Sequence, residues 1–470
     1  KYLCIGNKAG TIFLYNYVTK DLLVESSLLK MASKENSEDE LAKDMAISCL
    51  KYDPLGIILA CGTRDGHLWI LDPLLFKPLV ETPFKNAEST IKKICFSSDS
   101  KYLALIDESM CVCLYRNDNL GTSEWEFVGI RRSHYKPIND ILFNKPHEDE
   151  PIQLFSLGED RMLVEYDIIN SGRGVLLVLS TDRIEQSAIP LCMAWYPKFS
   201  KERFLFTSNS EFKFKLLETK TKMCLKTILG PTFGSPVTSF QILNTKKEKS
   251  EKRNMVFSSE KFIGIQMLPA DGNPYKSVGV IGHPIKVIKM CVDLNHTYLF
   301  TLGEDDYSVK MWYINTPAVE VMIRIGGENL NPFYSLVEGG ENGWLFHEIR
   351  DLFCYAQIIH QRENANVERT CSNRIPLCEI ADLMRAVGFY PSEYEIENMM
   401  HEVTHSKMSE TGKLVNEIEF EDFVRLYINH HPAFGVSAEN LKAAFDTFAS
   451  EEQDNSQITK EAFLEALLEK

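Results

Sequence analysis

The sequence predicts a multidomain chain: an all-β propeller of about seven blades over residues 1–325, a Gly-rich linker over 326–343 and an all-α domain over 344–470. Three observations carry this. Similar segments recur seven times between Leu3 and Trp312, closing at Tyr15, Leu71, Tyr115, Tyr166, Leu217, Met267 and Trp312, a spacing of roughly 45 to 55 residues. Up to about Ile325, Val, Ile, Phe and Tyr alternate with polar residues, the period of half-buried strands. Beyond Trp344 the period becomes helical, with Trp344, Leu345, Ile349, Leu352, Phe353 and Ala356 on one stripe.

Taken in order, the blades share one grammar of a small-residue strand, a polar turn and an alternating strand. It reads as Ala60 to Asp72, again as Phe155 to Asp167, and again from Phe300 to Trp312. One short antiparallel sheet cannot bury both faces, so such sheets must stack radially around a channel. These segments resemble WD40 repeats. That resemblance implies a structural tetrad in the last blade, in which His283, Thr301, a turn aspartate (Asp305, or Asp306 beside it) and Trp312 satisfy one another as buried polar groups must. A His, a hydroxyl and an Asp in one blade are then packing, not a catalytic triad. Because Lys1 enters at an inner or middle strand, the first blade is expected to be incomplete as given, with earlier residues completing it. The acidic stretch Ser33 to Asp44 reads as a solvated loop between blades.

Net charge is −15, but residues 1–343 carry 43 acidic and 40 basic side chains against 23 and 11 in 344–470, so the acidity belongs to the helical part. The one basic run, Lys246 to Arg253, reads as a loop, and nothing resembles the clustered basic face of a nucleic-acid binder. The 12 cysteines show no zinc spacing and read as reduced core residues, which points to a reducing compartment. No run approaches transmembrane length. A Gly-rich phosphate cradle, a nucleophile elbow and paired catalytic carboxylates are all missing, so neither an enzyme nor a small-molecule substrate is expected.

The linker region brackets a short apolar patch, Pro332 to Val337, that reads as a hinge or as a segment packed on the propeller rim. In the helical domain a helix, a polar stretch, an isolated isoleucine and a second helix recur around Ile375, Ile418 and Ile458, which resembles EF-hands of the calmodulin superfamily. Calcium needs oxygen ligands at loop positions 1, 3, 5 and 12. The first loop offers Glu368, Thr370, Ser372 and Glu379 and is the one that could bind calcium. The second places Lys413 and Val415 at ligand positions, and the third ends on Ala462 instead of a carboxylate after Glu451, Gln453 and Asn455. A calcium-independent recognition module, with no cofactor, is therefore expected. Met399, Met400, Phe423, Leu426 and Tyr427 are candidates for lining a groove for an amphipathic partner helix, with core packing as the competing reading. His401-Glu402-Val403-Thr404-His405 has the spacing of a zinc peptidase helix, but it ends a helix without an obvious third ligand and reads as structural.

Phrases at Phe333 to Gly340, Asp351 to Ile358 and Phe423 to Pro432, together with the pairing of propeller and hands, sharpen the resemblance. The chain is similar along its length to the WD-repeat cilia- and flagella-associated proteins of the calmodulin- and spoke-associated complex. What that resemblance implies is a non-enzymatic axonemal scaffold at the base of a radial spoke, joining spoke to doublet microtubule and supporting ciliary and sperm flagellar motility. It further implies a cytoplasmic, cytoskeletal location in the axoneme. The implied partners are the other proteins of that complex, radial spoke subunits, calmodulin and tubulin, with no nucleic acid or membrane. The alternative is a general cytosolic WD-repeat adaptor with a calcium-responsive hand module.

Overall fold

In the computed structural model of the chain, the described residues are 1–29, 45–119, 124–144, 151–197, 203–243, 253–361, 371–407, 413–435, 438–448 and 458–468. The stretch Ser33 to Asp44 and the basic residues 246–252 lie outside them.

Seven antiparallel blades follow one another in chain order. The first (strands Tyr2–Gly6, Thr11–Asn16, Asp21–Ser27), the second (Ile47–Tyr52, Leu59–Thr63, Leu68–Leu71) and the seventh (Val287–Val292, Tyr298–Gly303, Val309–Tyr313) have three strands each; the others have four. Small residues at the predicted positions allow the close stacking. A Cβ on Gly62, in the second strand of blade two, would meet Cys49 Sγ at 2.7 Å and Ile91 at 2.9 Å. A separate apolar core lies between each successive pair of blades, such as Ile12 and Leu14 against Leu59, Cys61 and Trp69, or Leu157 and Leu163 against Met193 and Leu205. Blades seven and one meet through Tyr17, whose ring lies 5.1 Å from Phe300 and 6.1 Å from Tyr298.

Blades three and four depart from the repeat. Their outer strands join in parallel, Gly129 opposite Gly174 and Ile130 opposite Val175, which makes one eight-stranded sheet. The approach depends on glycine: a Cβ on Gly129 would lie 2.4 Å from the Val175 carbonyl carbon. All twelve cysteines are free and seven are buried. Burial pushes the Cys95 thiol up to about 12, which keeps it protonated.

After blade seven, helix α1 (Thr316–Gly326) runs to Gly326, where a Cβ would lie 2.6 Å from the Tyr275 ring of blade six. The region predicted as a linker is part of the helical body. Positive φ at Gly327, Gly339 and Gly340 folds the chain back, so Leu330, Phe333 and Val337 enter the same core as Phe346, Ile349 and Phe353. That body is built from α2 (Trp344–His360), α3 (Ile380–Ala386), α4 (Glu393–His405) and α5 (Phe420–His430). Two further helices, α6 (Ala438–Phe448) and α7 (Lys460–Leu468), follow, their Phe445 and Phe463 rings stacked at 6.2 Å. Trp344, assigned above to the apolar stripe, is 72% exposed, because α2 begins there and its buried face starts at Phe346. A short ladder pairs Arg374–Pro376 with Glu417–Glu419 and sets Ile375 opposite Ile418, both buried. Among the described residues no helix is long and apolar enough to cross a membrane.

Candidate functional site at the junction of propeller and helical body

The polar cluster of blade seven is internal. His283 Nε2 lies 2.8 Å from Thr301 Oγ1, the Trp312 indole N–H donates to the same oxygen at 2.9 Å, and His283 Nδ1 meets Asp306. The carboxylate is therefore Asp306 and not Asp305. Asp305 has φ +56° and is exposed, so the turn directs its neighbour inward. The His283 hydrogen bond holds the Asp306 carboxyl below its usual range.

Blade four holds an equivalent cluster that the sequence reading missed. His134 Nδ1 lies 2.9 Å from Asp160 Oδ1, its Nε2 lies 2.7 Å from Ser156 Oγ, and Ser156 Oγ lies 2.8 Å from the Tyr166 hydroxyl. Burial opposes ionisation of Asp160, but the His134 hydrogen bond outweighs it and holds the carboxyl low. The spacing carried the signal, since His134 precedes Ser156 much as His283 precedes Thr301. Tyrosine in the tryptophan position obscured it. Each imidazole is engaged on both nitrogens within its blade, which is what a fastening needs and what a proton shuttle cannot afford.

The five groove candidates do not line an open groove. Met399 and Phe423 are fully buried, Leu426 and Tyr427 are buried, and Met400 packs partly buried against the same core. Helix α5 turns these side chains inward because its apolar face is wrapped by α2, α3 and α4.

Of the calcium candidates, Glu368 and Thr370 lie outside the described residues, as do Thr411 of the second loop and Glu451, Gln453 and Asn455 of the third. The Ser372 hydroxyl donates to the Arg374 carbonyl at 3.2 Å. Glu379 Oε1 faces an imidazole and a thiol, His360 Nδ1 at 3.2 Å and Cys378 Sγ at 3.7 Å. Calcium takes six to eight oxygens, and the described donor set does not match that.

Where functional geometry gathers is the face of blade five that meets the helical body. The outer strand Cys224–Leu229 pairs on one side with Lys213–Glu218. An edge strand leaves every second N–H on its other side without a ladder partner. Here Thr227 N–H donates to Glu402 Oε2 at 3.1 Å and Leu229 N–H donates to Asn429 Oδ1 at 2.9 Å. Asn429 in turn donates from Nδ2 to the Asp271 carbonyl of blade six at 3.2 Å, so one buried amide fastens α5 to two blades. Gly272 makes room for it: its φ is +89°, and a Cβ there would lie 2.0 Å from Asn429 Oδ1. Nearby, the Lys213 ammonium donates to the carbonyls of His431 at 2.6 Å and Ile428 at 3.5 Å, capping the negative end of α5. Burial pushes Lys213 down to about 7, against the opposing pull of Glu211 and Glu395. Lys215 pairs with buried Glu185 at 2.6 Å, and Phe212 meets Phe434 edge-on at 4.9 Å.

This geometry also answers the H-E-x-x-H spacing. Glu402, which would be the general base, accepts from Thr227 and lies 3.1 Å from His430 Nε2. His401 and His405 stack with ring centroids 4.1 Å apart, and His405 Nδ1 lies 2.9 Å from the His401 carbonyl. The motif serves the junction.

Residues 344–470 match the family described as the CFAP251 C-terminal domain. Over 474 residues the chain is 39% identical to cilia- and flagella-associated protein 251 of Mus musculus, covering 100% of this chain and 35% of that protein. It is 35% identical to the Pongo abelii protein of the same name, with 100% and 40% covered, and 31% identical to that of Tetrahymena thermophila, with 97% and 48% covered. The chain thus spans less than half the length of these curated relatives. A chain of a mitotic checkpoint complex crystal structure is similar at a TM-score of 0.49 and 16% identity, covering 67% of this chain and 84% of that one; the propeller assignment rests instead on the seven sheets.

Proposed function

From a chain homologous along its length to the cilia- and flagella-associated protein 251 proteins, carrying their C-terminal domain, we propose a non-enzymatic scaffold of the ciliary and flagellar axoneme. It would sit at the base of a radial spoke and join the spoke to the doublet microtubule. The partners in this reading are other subunits of the calmodulin- and spoke-associated complex, radial spoke subunits, tubulin and calmodulin. The observation that supports it is the junction: buried polar pins between α4, α5 and blade five make propeller and helical body one stiff frame with two separate outer surfaces. A connector under oscillating load needs that stiffness, and loops held on a rigid scaffold supply the contacts. The helical body enters this proposal as a degenerate pair of EF-hands, supported by the Ile375–Ile418 ladder, with recognition that does not depend on calcium.

Cross-linking mass spectrometry on salt-extracted axonemes tests it. The expected outcome is that propeller and helical body cross-link to different axonemal proteins, one of them tubulin or a spoke subunit. Recovery in the detergent-soluble fraction without axonemal cross-links would overturn the proposal in favour of a cytosolic adaptor.

A further inference from the structure

One side-chain cluster is not used by the junction or by the blades. His360 ends α2, and Cys378 and Glu379 end the short 3-10 turn Leu377–Glu379 that leads into α3. Their ligand atoms, Nδ1 or Nε2, Sγ and a carboxylate oxygen, all lie within 4.8 Å of one another. We propose that these three residues form a binding site for a divalent cation of the zinc class.

The distances support this more specifically than proximity alone. A tetrahedral zinc site with metal–N and metal–O bonds of about 2.1 Å and a metal–S bond of about 2.3 Å has N···O edges of roughly 3.4 Å and S···O edges of roughly 3.6 Å. The observed edges are 3.2 Å from His360 Nδ1 to Glu379 Oε1 and 3.7 Å from Cys378 Sγ to the same oxygen. A charge-assisted N–H···O bond closes to about 2.7–2.9 Å when nothing else holds the pair, so the His–Glu spacing is wider than an ion pair alone would choose.

The elements that carry the ligands are fixed. Ser372 N–H donates to Gln357 Oε1 on α2 at 2.6 Å, and the Arg374–Pro376 ladder leads directly into the turn that holds Cys378. His360 and Cys378 are exposed, so a cation enters from solvent, and a fourth position remains for water or an external ligand. The donor chemistry selects the ion. Thiolate and imidazole favour zinc, cobalt and copper over calcium and magnesium, which take oxygens. Without a cation, burial and the neighbouring Glu379 push the Cys378 thiol up, so it holds its proton. A bound divalent cation reverses that balance, and the thiol proton is released to solvent as the metal–sulfur bond forms. This inference is independent of the scaffold proposal.

The test uses the full chain, reduced and chelator-washed, with cobalt(II) as the probe. One cobalt per chain is expected, with the visible absorption of a tetrahedral ion and a thiolate-to-cobalt charge-transfer band, displaced by zinc and unmoved by excess calcium. Cys378→Ser removes the charge-transfer band, and His360→Ala and Glu379→Gln weaken binding by roughly tenfold or more. The double variant Cys354→Ser/Cys371→Ser, which removes the other thiols of this region, leaves the spectrum unchanged. All of these except Cys354 are partly or fully exposed, and far-ultraviolet circular dichroism checks that each variant folds. Failure of the unaltered chain to bind one tetrahedral cobalt, survival of the thiolate band in Cys378→Ser, its loss in the double variant, or displacement by calcium would each overturn the proposal.

Discussion

Asn429→Ala tests whether the helical body is fastened or merely adjacent. The amide is 3% exposed, accepts from Leu229 N–H at 2.9 Å and donates to the Asp271 carbonyl at 3.2 Å. Alanine removes both bonds and leaves a part-buried N–H and a carbonyl without partners. A buried polar group deprived of its partner costs about 1–3 kcal/mol. Because water can reach part of the Leu229 edge, a total of roughly 1.5–3 kcal/mol is reasonable, which at about 1.4 kcal/mol per decade speeds local opening on the order of 10- to 100-fold. Amide hydrogen exchange on the full chain reads this directly. Leu229 should exchange faster by that factor, Thr227 should change less because Glu402 still holds it, and central strands such as Leu103 to Ile106 should not change. Unaltered exchange at Leu229 would show that the contact carries no docking free energy. Equal acceleration in every blade would show that Asn429 supports global stability instead.

Gly272→Ala should loosen the same contact without altering a pin, since its Cβ would fall 2.0 Å from Asn429 Oδ1 at a positive φ, costing roughly 2–4 kcal/mol and matching Asn429→Ala in the exchange of Leu229. His134→Phe should lower propeller stability by about 3 kcal/mol in urea, because Asp160 loses its buried partner. Its pH signature has a definite sign: the folded carboxyl is held below its unfolded value, so the contribution is present at neutral pH and is lost as acid takes the pH below the ordinary carboxylate range, and His134→Phe should flatten that acid limb. For Lys213, held down to about 7 against an ordinary 10.5, the unfolded chain binds the extra proton between those values. Stability should therefore rise with pH across that window and fall as pH drops through 7, a slope that Lys213→Met should abolish in pH-resolved melting.

The blades were legible because period-2 alternation and recurrent turns are local properties. The cluster His283, Thr301 and Trp312 could be placed by spacing alone, whereas two adjacent aspartates could not be ranked: the choice of Asp306 depends on the backbone of Asp305 at φ +56°. The joining of blades three and four was invisible, since it needs Gly129 to lie against Val175 from another blade, a pairing with no sequence period. Residues 326–343 misled for a related reason. Their glycines read as linker punctuation, yet the same glycines permit the reversals that bury Phe333. Composition reports that a chain turns, but not whether the turn ends in solvent or in a core.

The junction shows why single-residue chemistry is easily misassigned from sequence. Glu402 between two histidines has the spacing of a hydrolytic helix, and only the unpaired edge of Cys224–Leu229 explains it differently. A bare edge strand on the rim of a propeller is an aggregation hazard that must be covered. Covering it with another strand would lengthen the sheet; covering it with helix side chains fixes the orientation of a second domain instead. Two N–H groups, Thr227 and Leu229, two residues apart, meet acceptors on two different helices, α4 and α5, so neither helix can slide along the strand without breaking one bond. Lys213 adds the rotational constraint by holding the carbonyl end of α5. Three polar contacts of different direction thus suppress translation and rotation together, which a greasy interface of the same area would not do, and that is the property a connector between two moving partners requires.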